Sequence, residues 1–367
     1  MEMFIHQKSE WPSFYWDEAL LSQRLGEVRH LQGKLLGKME SLGFELQNEA
    51  LLDTLTLDVL KSTEIEGEFL NPEQVRSSIA RRLGMELAGA VPSDRNVDGM
   101  VDMMLDATQN CFELLTTDRL FGWHSALFSS GRSGMYKILV GNWREDTTGP
   151  MQVVSGALGR EIVHFQAPGS EKIPVEMERF MIWFNAKAET DEVIKSAIAH
   201  LWFVTIHPFD DGNGRITRAL TDMLLARSDH STQRFYSMSA QIRLERKSYY
   251  DILEKTQRGD LDITDWLIWF LDCLLKSLKS TAFVLAKVLE KASFWQKHRA
   301  TSLNDRQRSM LNKLFDGFEG KLNTSKWAKI TKTSTDTALR DIQDLVNKDI
   351  LKKEEAGGRS TNYELIL

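Results

Sequence analysis

The sequence has few cysteines, few prolines and no strong excess of charge. Its 367 residues include 2 cysteines and 7 prolines, and the formal net charge is -6. Cys111 and Cys273 lie in apolar surroundings without the spacing of a metal site, so we expect reduced, buried thiols in a cytoplasmic protein. The mild net charge argues against a protein coated with nucleic acid.

The sequence also lacks a stretch that predicts a membrane span or a secretion signal. Its most apolar stretch, 266–275, contains Asp272 and is far shorter than the ~20 residues that a membrane helix needs. The N-terminus has no basic region followed by an apolar run. A Walker A sequence is missing too, which excludes a standard NTPase phosphate loop. We therefore expect no membrane partner.

Helical periodicity dominates what the sequence does contain. One helix is expected to stop at Gly67, and Asn71-Pro72 predicts a capped helix start with proline at the first helical position. We therefore predict a mainly α fold. Further helices are predicted at 98–116, 118–130, 175–188, 191–206, 213–228, 246–258 and 263–298.

One central region breaks the helical pattern. Residues 151–154 and 162–165 are short β-prone runs, and the glycine-containing segment 155–159 lies between them. Pro168 ends the region. The pattern predicts a β-hairpin.

Residues 301–367 have a different organisation. Three helices are predicted there, followed by two β-prone runs on either side of Gly357-Gly358-Arg359, which is the pattern of a winged helix. The helices are predicted at 305–315, 327–330 and 334–349, and the β-prone runs at 350–353 and 362–366.

The charge of this C-terminal region leaves its role open. Residues 301–367 hold 12 lysines and arginines against 10 aspartates and glutamates. The helix 334–349 would be the recognition helix if DNA were bound, but it carries four aspartates and only Arg340 and Lys348 as cations. An acidic helix binds poorly to a groove lined by phosphates. DNA binding, docking of a target protein and scaffolding remain three alternatives.

Residues 207–218, His-Pro-Phe-Asp-Asp-Gly-Asn-Gly-Arg-Ile-Thr-Arg, carry the strongest chemical signal. Pro208 disfavours helical geometry at His207, so the preceding apolar helix should end there. Gly212 and Gly214 permit a tight turn, and a second helix begins directly afterwards. Free N–H groups at such a helix N-terminus favour a bound anion.

The side chains of this segment predict the chemistry of that anion. Arg215 and Arg218 are three residues apart, so they share a helix face and can clamp adjacent phosphates. Asp211 supplies the hard oxygen ligand that Mg²⁺ prefers. His207 can act as a general base near neutral pH. Together they predict phosphoryl or nucleotidyl transfer.

At every defined position the segment resembles the signature of Fic-domain AMP-transferases, His-x-Phe-x-(Asp/Glu)-Gly-Asn-Gly-Arg-x-x-Arg. The resemblance implies that ATP is the substrate, that His207 deprotonates the attacking hydroxyl and that Asp211 holds Mg²⁺. It also implies that the phosphates of ATP lie against the residues at the start of the second helix. These are Gly212, Asn213, Gly214, Arg215 at the α- and β-phosphates, and Arg218 at the γ-phosphate.

The resemblance implies two further parts of the site. The family has a β-hairpin flap that holds an extended segment of the target protein by strand pairing, and the predicted hairpin would be this flap. Tyr249 and Gln257 resemble the region that holds adenine and ribose. The flap residues expected at the site are Val163, His164, Phe165 and Gln166.

Residues 62–67, Ser-Thr-Glu-Ile-Glu-Gly, resemble the inhibitory motif of the same family, (Ser/Thr)-x-x-x-Glu-(Gly/Asn). Glu66 lies at the C-terminal end of a predicted helix, where the dipole disfavours a carboxylate by ~0.3–1 kcal/mol. The resemblance supplies Arg218 as its partner, so Glu66 would border ATP and block the γ-phosphate position. We expect the pair to be exposed or half-exposed, and to contribute ~0–1 kcal/mol.

The resemblance as a whole predicts three parts, typical of bacterial members with an N-terminal inhibitory helix and a C-terminal winged helix. They are an N-terminal helical region at 1–95, a Fic catalytic core at 96–298 with its flap near 151–168, and a winged helix at 301–367. The implied function is transfer of AMP from ATP to a Tyr, Thr or Ser hydroxyl of a target protein or of the enzyme itself. The alternatives are a DNA-binding regulator whose Fic domain senses nucleotide, and removal of AMP by the same site. The resemblance also suggests a homodimer.

Overall fold

The computed structural model describes residues 4–85, 90–147, 149–156, 160, 162–187, 189–315, 318, 320–354 and 361–366. The chain divides into two compact units, Met1–Thr281 and Ala282–Leu367. The division falls inside one long helix. The three parts that the sequence suggests remain a prediction.

The fold is mainly helical, as the sequence predicts. The helices are α1 (Glu18–Glu40), α2 (Phe44–Ile65), α3 (Pro72–Arg82), α4 (Arg95–Gln109), α5 (Thr117–Leu127), α6 (Ile173–Asn185), α7 (Glu192–Ile206), α8 (Asn213–Ser228), α9 (Met238–Leu244), α10 (Arg246–Gln257), α11 (Thr264–Lys297), α12 (Asp305–Phe315), α13 (Thr324–Thr331) and α14 (Thr335–Asn347). The strands are β1 (Arg132–Ser133), β2 (Tyr136–Lys137), β3 (Gln152–Ser155), β4 (Ile162–Gln166), β5 (Leu351–Lys353) and β6 (Tyr363–Leu365).

The helix pair α7 and α8 lies at the centre of the first unit. All residues of α7 from Val193 to Ile206 are buried, because α6 and α8 pack against this helix. A helix that is apolar on every side needs such a location. Most of α8 is buried as well, and the turn between the two helices carries residues 207–212.

The segment after α2 is fixed at both of its ends. Helix α2 ends at Ile65, Glu66 is its C-cap, and Gly67 has a φ of 86°, a conformation that glycine adopts without strain. The Asn71 side chain then accepts hydrogen bonds from the first N–H groups of α3 and forms the predicted cap, with Pro72 at the first helical position. These two turns place Glu66 and its neighbours against the first turns of α8.

The predicted hairpin is present as the antiparallel pair β3 and β4. Gln152 pairs with Gln166 and Val153 with Phe165, and the register then shifts so that Val154 pairs with Val163. The shift is a β-bulge at His164, and a bulge re-aims a side chain. Of the turn predicted at 155–159, residues 157–159 lie outside the described residues.

Three details of the first unit differ from the sequence-based prediction. Helix α4 ends at Gln109 instead of 116, because the Asn185 side chain binds both backbone groups of Leu115 and favours a non-helical segment. Helix α9 was not predicted, since its seven residues are too few for a clear period. The β1–β2 hairpin was missed because each strand has two residues.

The second unit contains α12, α13, α14 and the antiparallel pair β5 and β6, close to the predicted positions. The glycine tip predicted at Gly357-Gly358-Arg359 lies outside the described residues, and the winged-helix assignment remains a prediction. In the part of the chain that the structure describes, every helix is too short or too polar to cross a bilayer. The buried side chains at the centre of the second unit include Met310, Leu311, Trp327, Ala338, Ile342, Leu345 and Ile350.

Candidate active site

Two reciprocal hydrogen bonds close the turn between α7 and α8. The Asn213 side-chain amide donates to the Phe209 carbonyl over 2.8 Å, and the Phe209 N–H donates to the Asn213 side-chain oxygen over 3.0 Å. Gly212, the N-cap of α8, has a φ of 81°, and a Cβ there would lie 2.8 Å from the Phe128 ring. Glycine is therefore required at this position.

His207 is held as a neutral base. Its Nδ1 lies 3.2 Å from the Val204 carbonyl, which can only accept, so Nδ1 carries the proton and Nε2 keeps a free lone pair. Burial lowers the pKa of His207 to about 4, outweighing the carbonyl bond and the nearby Glu66, which act in the opposite direction. At neutral pH the imidazole is therefore uncharged and able to accept a proton.

Two buried residues outside the turn, Arg144 and His124, form hydrogen bonds with its backbone, and the sequence analysis did not identify them. The Arg144 guanidinium donates to the His207 carbonyl over 2.8 Å. The His124 ring stacks on Phe209 at 4.3 Å, accepts from the Gly141 N–H at Nδ1 and donates from Nε2 to the Asp211 carbonyl over 3.2 Å. Burial lowers the pKa of His124 to about 4, so this ring is neutral as well. Neither residue lies in a motif that could have revealed its role.

The two aspartates of the turn have different surroundings. Asp210 accepts a 2.8 Å hydrogen bond from the Leu139 N–H, which ties it to the backbone. Asp211 accepts from the Gly212 N–H and from the Ser133 hydroxyl, and it lies 3.7 Å from Arg215. Among the described residues, no group of three or more His, Cys, Asp or Glu side chains could hold a metal by itself.

Arg218 is buried, and its partners belong to the segment 62–67, which resembles the inhibitory motif. Its Nη1 lies 2.8 Å from Oε1 of Glu66, while Nε and Nη2 donate to the Ser62 hydroxyl and carbonyl, both over 2.8 Å. The Arg218 side chain is 2% exposed and that of Glu66 is 30% exposed, so the pair is more buried than the sequence led us to expect. Burial alone would lower the pKa of Arg218, but the Glu66 carboxylate together with Tyr249 and Tyr250 outweighs it, and the pKa is raised.

Two further observations concern the same contact. A Cβ at Gly214 would lie 2.2 Å from Oε1 of Glu66, so the glycine gives this carboxylate its space at the first turn of α8. Arg215, one residue further on, forms its own ion pair with Glu68 over 2.8 Å, a contact that the sequence analysis did not predict.

A cavity of about 520 Å³ opens beside this turn, within the size range of pockets that hold small ligands. Four of the predicted site residues, Val163, Gln166, Arg215 and Arg218, do not line it. The predicted residues that do line it are Glu66, His164, Phe165, His207, Asp211, Gly212, Asn213, Gly214, Tyr249 and Gln257. Tyr250, Leu253 and Glu254 also line it, and the sequence analysis did not assign them to the site.

The wall formed by α10 is preorganised by buried hydrogen bonds. Tyr249 Oη lies 2.8 Å from Nε2 of His200, and the Gln257 side-chain amide donates to the Thr205 hydroxyl over 3.2 Å. Both side chains are almost fully buried. Burial raises the pKa of Tyr249, so the phenol keeps its proton.

The bulge in β4 places His164 at the cavity. Its Nδ1 lies 2.6 Å from the Glu254 carboxylate and its Nε2 lies 2.6 Å from the Ser155 hydroxyl. Arg258 donates to the carbonyls of both Val163 and His164, which fastens β4 to the end of α10. Elsewhere on β4, the buried Phe165 ring packs 5.2 Å from Phe4, and Gln166 accepts a hydrogen bond from Gln152.

Two family models match the chain. Residues 114–225 match the Fic/DOC family, and residues 4–85 match a domain of unknown function, DUF4172. Proteins named protein adenylyltransferase Fic from Drosophila willistoni and Culex quinquefasciatus are 34% identical over 113 residues. That match covers 30% of this chain and 21% of each relative, so the similarity spans about a fifth of the relatives' length.

Two solved structures share the fold. A Fic family protein from Desulfovibrio desulfuricans matches with a TM-score of 0.54 at 18% identity, over 96% of this chain and 97% of the other. A variant fragment of Fic-1 from C. elegans matches with a TM-score of 0.51 at 21% identity, over 75% of this chain and 74% of the other. The Fic/DOC match at residues 114–225 includes His207–Arg218, which forms the turn after α7 and the start of α8.

Proposed function

We propose that this protein transfers AMP from ATP to a hydroxyl side chain of a protein. The observation that carries the proposal is the neutral His207, which lines a nucleotide-sized cavity together with the N-terminus of α8. The curated relatives named protein adenylyltransferase Fic support the same reaction. Tyr, Thr or Ser can supply the hydroxyl.

His207 would start the reaction from Nε2. The nitrogen accepts the hydroxyl proton as the hydroxyl oxygen attacks the α-phosphorus of ATP. A bond forms between that oxygen and the α-phosphorus, the bond from the α-phosphorus to the α,β-bridging oxygen breaks, and pyrophosphate leaves. Because the pKa of His207 is lowered to about 4, the base is in its active, neutral form throughout the neutral range.

The start of α8 would hold the phosphates. Free N–H groups and the helix dipole favour a polyanion at this position, next to Gly212, Asn213 and Gly214. Arg215 would bind the α- and β-phosphates and Arg218 the γ-phosphate, once the carboxylates that now bind these arginines move aside. Tyr249 and Gln257 form the wall expected to hold adenine and ribose.

Asp211 fits the role of the Mg²⁺ ligand. Mg²⁺ in nucleotide sites is typically held by one or two carboxylates together with phosphate oxygens, so a lone carboxylate beside the phosphate position is a suitable donor set. A bound Mg²⁺ would neutralise charge on the phosphates. Hydrogen bonds from the Ser133 hydroxyl and the Gly212 N–H fix the orientation of the Asp211 carboxylate.

The hairpin β3–β4 is the proposed flap for an extended segment of the target protein, held through backbone hydrogen bonds. His164 and Phe165 are the flap residues that line the cavity. Val163 and Gln166 do not line the cavity, so they would contribute to the flap through the backbone of β4 rather than through side-chain contacts with ATP.

Glu66 would keep the enzyme inactive in its resting state. Its carboxylate is bound to the Arg218 guanidinium, so ATP would bind without a γ-phosphate contact and the α-phosphate of ATP would not be in line with the incoming hydroxyl.

Two further proposals concern the C-terminal unit and the oligomeric state. The C-terminal unit is proposed to dock a target or to act as a scaffold, because Asp341 and Asp344 on α14 disfavour DNA and are bonded within the unit. Homodimerisation remains a prediction from the resemblance.

The test compares ATP labelled at the α-phosphate with ATP labelled at the γ-phosphate, using the wild type, Glu66→Gly and His207→Ala. AMP transfer predicts protein-bound label from the α-position only, and none with His207→Ala. Label from the γ-position would identify phosphoryl transfer instead. Release of AMP from a pre-labelled protein would favour the opposite reaction at the same site.

A further inference from the structure

The turn at Gly67 presents two carboxylates, not one, to α8. Glu66 and Glu68 flank the glycine, whose φ of 86° reverses the chain between them. Oε1 of Glu66 lies 2.8 Å from Arg218, and Oε2 of Glu68 lies 2.8 Å from Nη1 of Arg215. The two carboxylates therefore occupy the two arginines that are proposed to bind the phosphates of ATP.

The surroundings of Arg215 show what Glu68 contributes. The guanidinium lies 4.9 Å from the centre of the Phe128 ring and 3.7 Å from Asp211, and its side chain is 5% exposed. Its Nε is buried without a hydrogen-bond partner among the described residues. Glu68 thus supplies the shortest anionic contact of a cation whose side chain is almost fully buried.

The two partners differ in their freedom to move. The Glu68 side chain is 49% exposed, and a second cavity of about 240 Å³ lies against both it and Arg215. Rotating the Glu68 side chain into solvent therefore costs little. It leaves Arg215 with only the longer 3.7 Å contact to Asp211 among its carboxylate contacts in the described residues, so another anion close to the guanidinium is favoured. A phosphate oxygen meets that requirement, because it bonds a guanidinium as a carboxylate does.

We propose that Glu68 is a second inhibitory carboxylate, which occupies on Arg215 the position of a phosphate oxygen of ATP and must be displaced before the nucleotide binds. The inference rests on the proposed function, because it takes ATP as the ligand of the cavity and Arg215 as a partner of its phosphates. It differs from the role of Glu66, because Glu68 acts on nucleotide affinity through Arg215, whereas Glu66 acts on the γ-phosphate through Arg218.

The experiment is calorimetric titration of ATP into the full-length wild type and Glu68→Gln. Glutamine keeps the size of the side chain and removes its charge. Release of a half-exposed ion pair should lower the Kd for ATP by about two- to fivefold. The same factor is expected in a Glu66→Gly background, since the two carboxylates bind different arginines.

The matched control is Glu64→Gln. Glu64 lies in the same segment and loses the same charge, but its partners are Lys61 and Arg243 rather than the arginines proposed to bind phosphate. A Kd for Glu68→Gln equal to that of the wild type, or a decrease no larger than that of Glu64→Gln, would overturn the inference. If Glu68→Gln misfolds, Glu68→Asp, whose shorter carboxylate reaches Arg215 less well, should still lower the Kd; no decrease would count against the inference.

The binding measurement separates this inference from the proposed function. Tighter ATP binding by Glu68→Gln without AMP transfer by any variant would support the second carboxylate and contradict the transferase. AMP transfer by Glu66→Gly without any effect of Glu68→Gln on the Kd would support the transferase and contradict the inference.

Discussion

Glu66 and Arg218 form an ion pair in which only the carboxylate reaches the cavity. Oε1 lies 2.8 Å from Nη1, and Glu66 lines the cavity while the Arg218 side chain is 2% exposed. Ser62 accepts two further hydrogen bonds from the same guanidinium. A nucleotide in the cavity can therefore contact Arg218 only if Glu66 moves away, and the proposed regulation follows from this arrangement.

His207→Ala should abolish AMP transfer and leave ATP binding largely intact, because the start of α8 and both arginines remain. The acid limb of kcat/KM for the Glu66→Gly enzyme should lie near pH 4 rather than near pH 6.5. The neutral imidazole is the active form, and it is lost only as the pH falls through its lowered pKa of about 4. Transfer rates and a pH profile with a self-modification readout check both statements. Transfer by His207→Ala at near the wild-type rate would refute the assignment.

The two aspartates of the turn should respond differently to loss of charge. Asp211→Asn should lose Mg²⁺-dependent transfer, because a neutral amide is a poor Mg²⁺ ligand. Asp210→Asn is the matched control, since an amide oxygen can still accept from the Leu139 N–H. Transfer rates measured across a range of Mg²⁺ concentrations distinguish them. Equal losses in both variants would show that the metal ligand is misplaced.

Acid should destabilise the fold through its buried neutral histidines. Burial lowers the pKa of His124 to about 4 and that of His200 to about 3, from 6.5. The unfolded chain binds these protons below pH 6.5 and the folded chain does not, so the free energy of unfolding falls as the pH drops from 6.5 toward 4. The expected slope is about 1.4 kcal/mol per pH unit for each histidine. Urea denaturation at several pH values measures it, and His200→Gln should reduce the slope. An unchanged slope in that variant would contradict the buried, neutral state of His200.

The sequence was sufficient where a local rule decides the backbone. Pro208 predicted the end of α7, Asn71-Pro72 predicted the start of α3, and the glycines of the turn predicted the start of α8. The helix dipole disfavours a carboxylate at Glu66, and the structure places the Arg218 guanidinium 2.8 Å from it. Each of these rules involves residues that are close together in the chain.

The rest depended on contacts between distant segments, which no local pattern encodes. Nothing near His124 or Arg144 in the sequence indicates that they bind the backbone of the turn. No local pattern distinguishes Glu68 from an ordinary solvated glutamate, and only the folded structure shows its ion pair with Arg215. The burial of Arg218 was underestimated for the same reason, because a local pattern does not show which helices cover a side chain.

That burial changes the expected stability of Glu66→Gly. The substitution removes the carboxylate partner of the buried Arg218 guanidinium, so it should lower the free energy of unfolding by about 1–3 kcal/mol rather than leave it unchanged. Urea denaturation of the variant measures the loss. Adding Arg218→Ala removes the uncompensated charge, so the second substitution should cost less in this background than in the wild type.

AMP incorporation by the wild type, Glu66→Gly, Arg218→Ala and the double variant tests the central claim most directly. If Glu66 blocks Arg218, Glu66→Gly should raise incorporation by about 10- to 100-fold, the value of one charged hydrogen bond in the transition state. The gain needs Arg218, so the double variant should fall back to the wild-type level or below it. Incorporation by Glu66→Gly at the wild-type level, or a gain that persists in the double variant, would contradict the account.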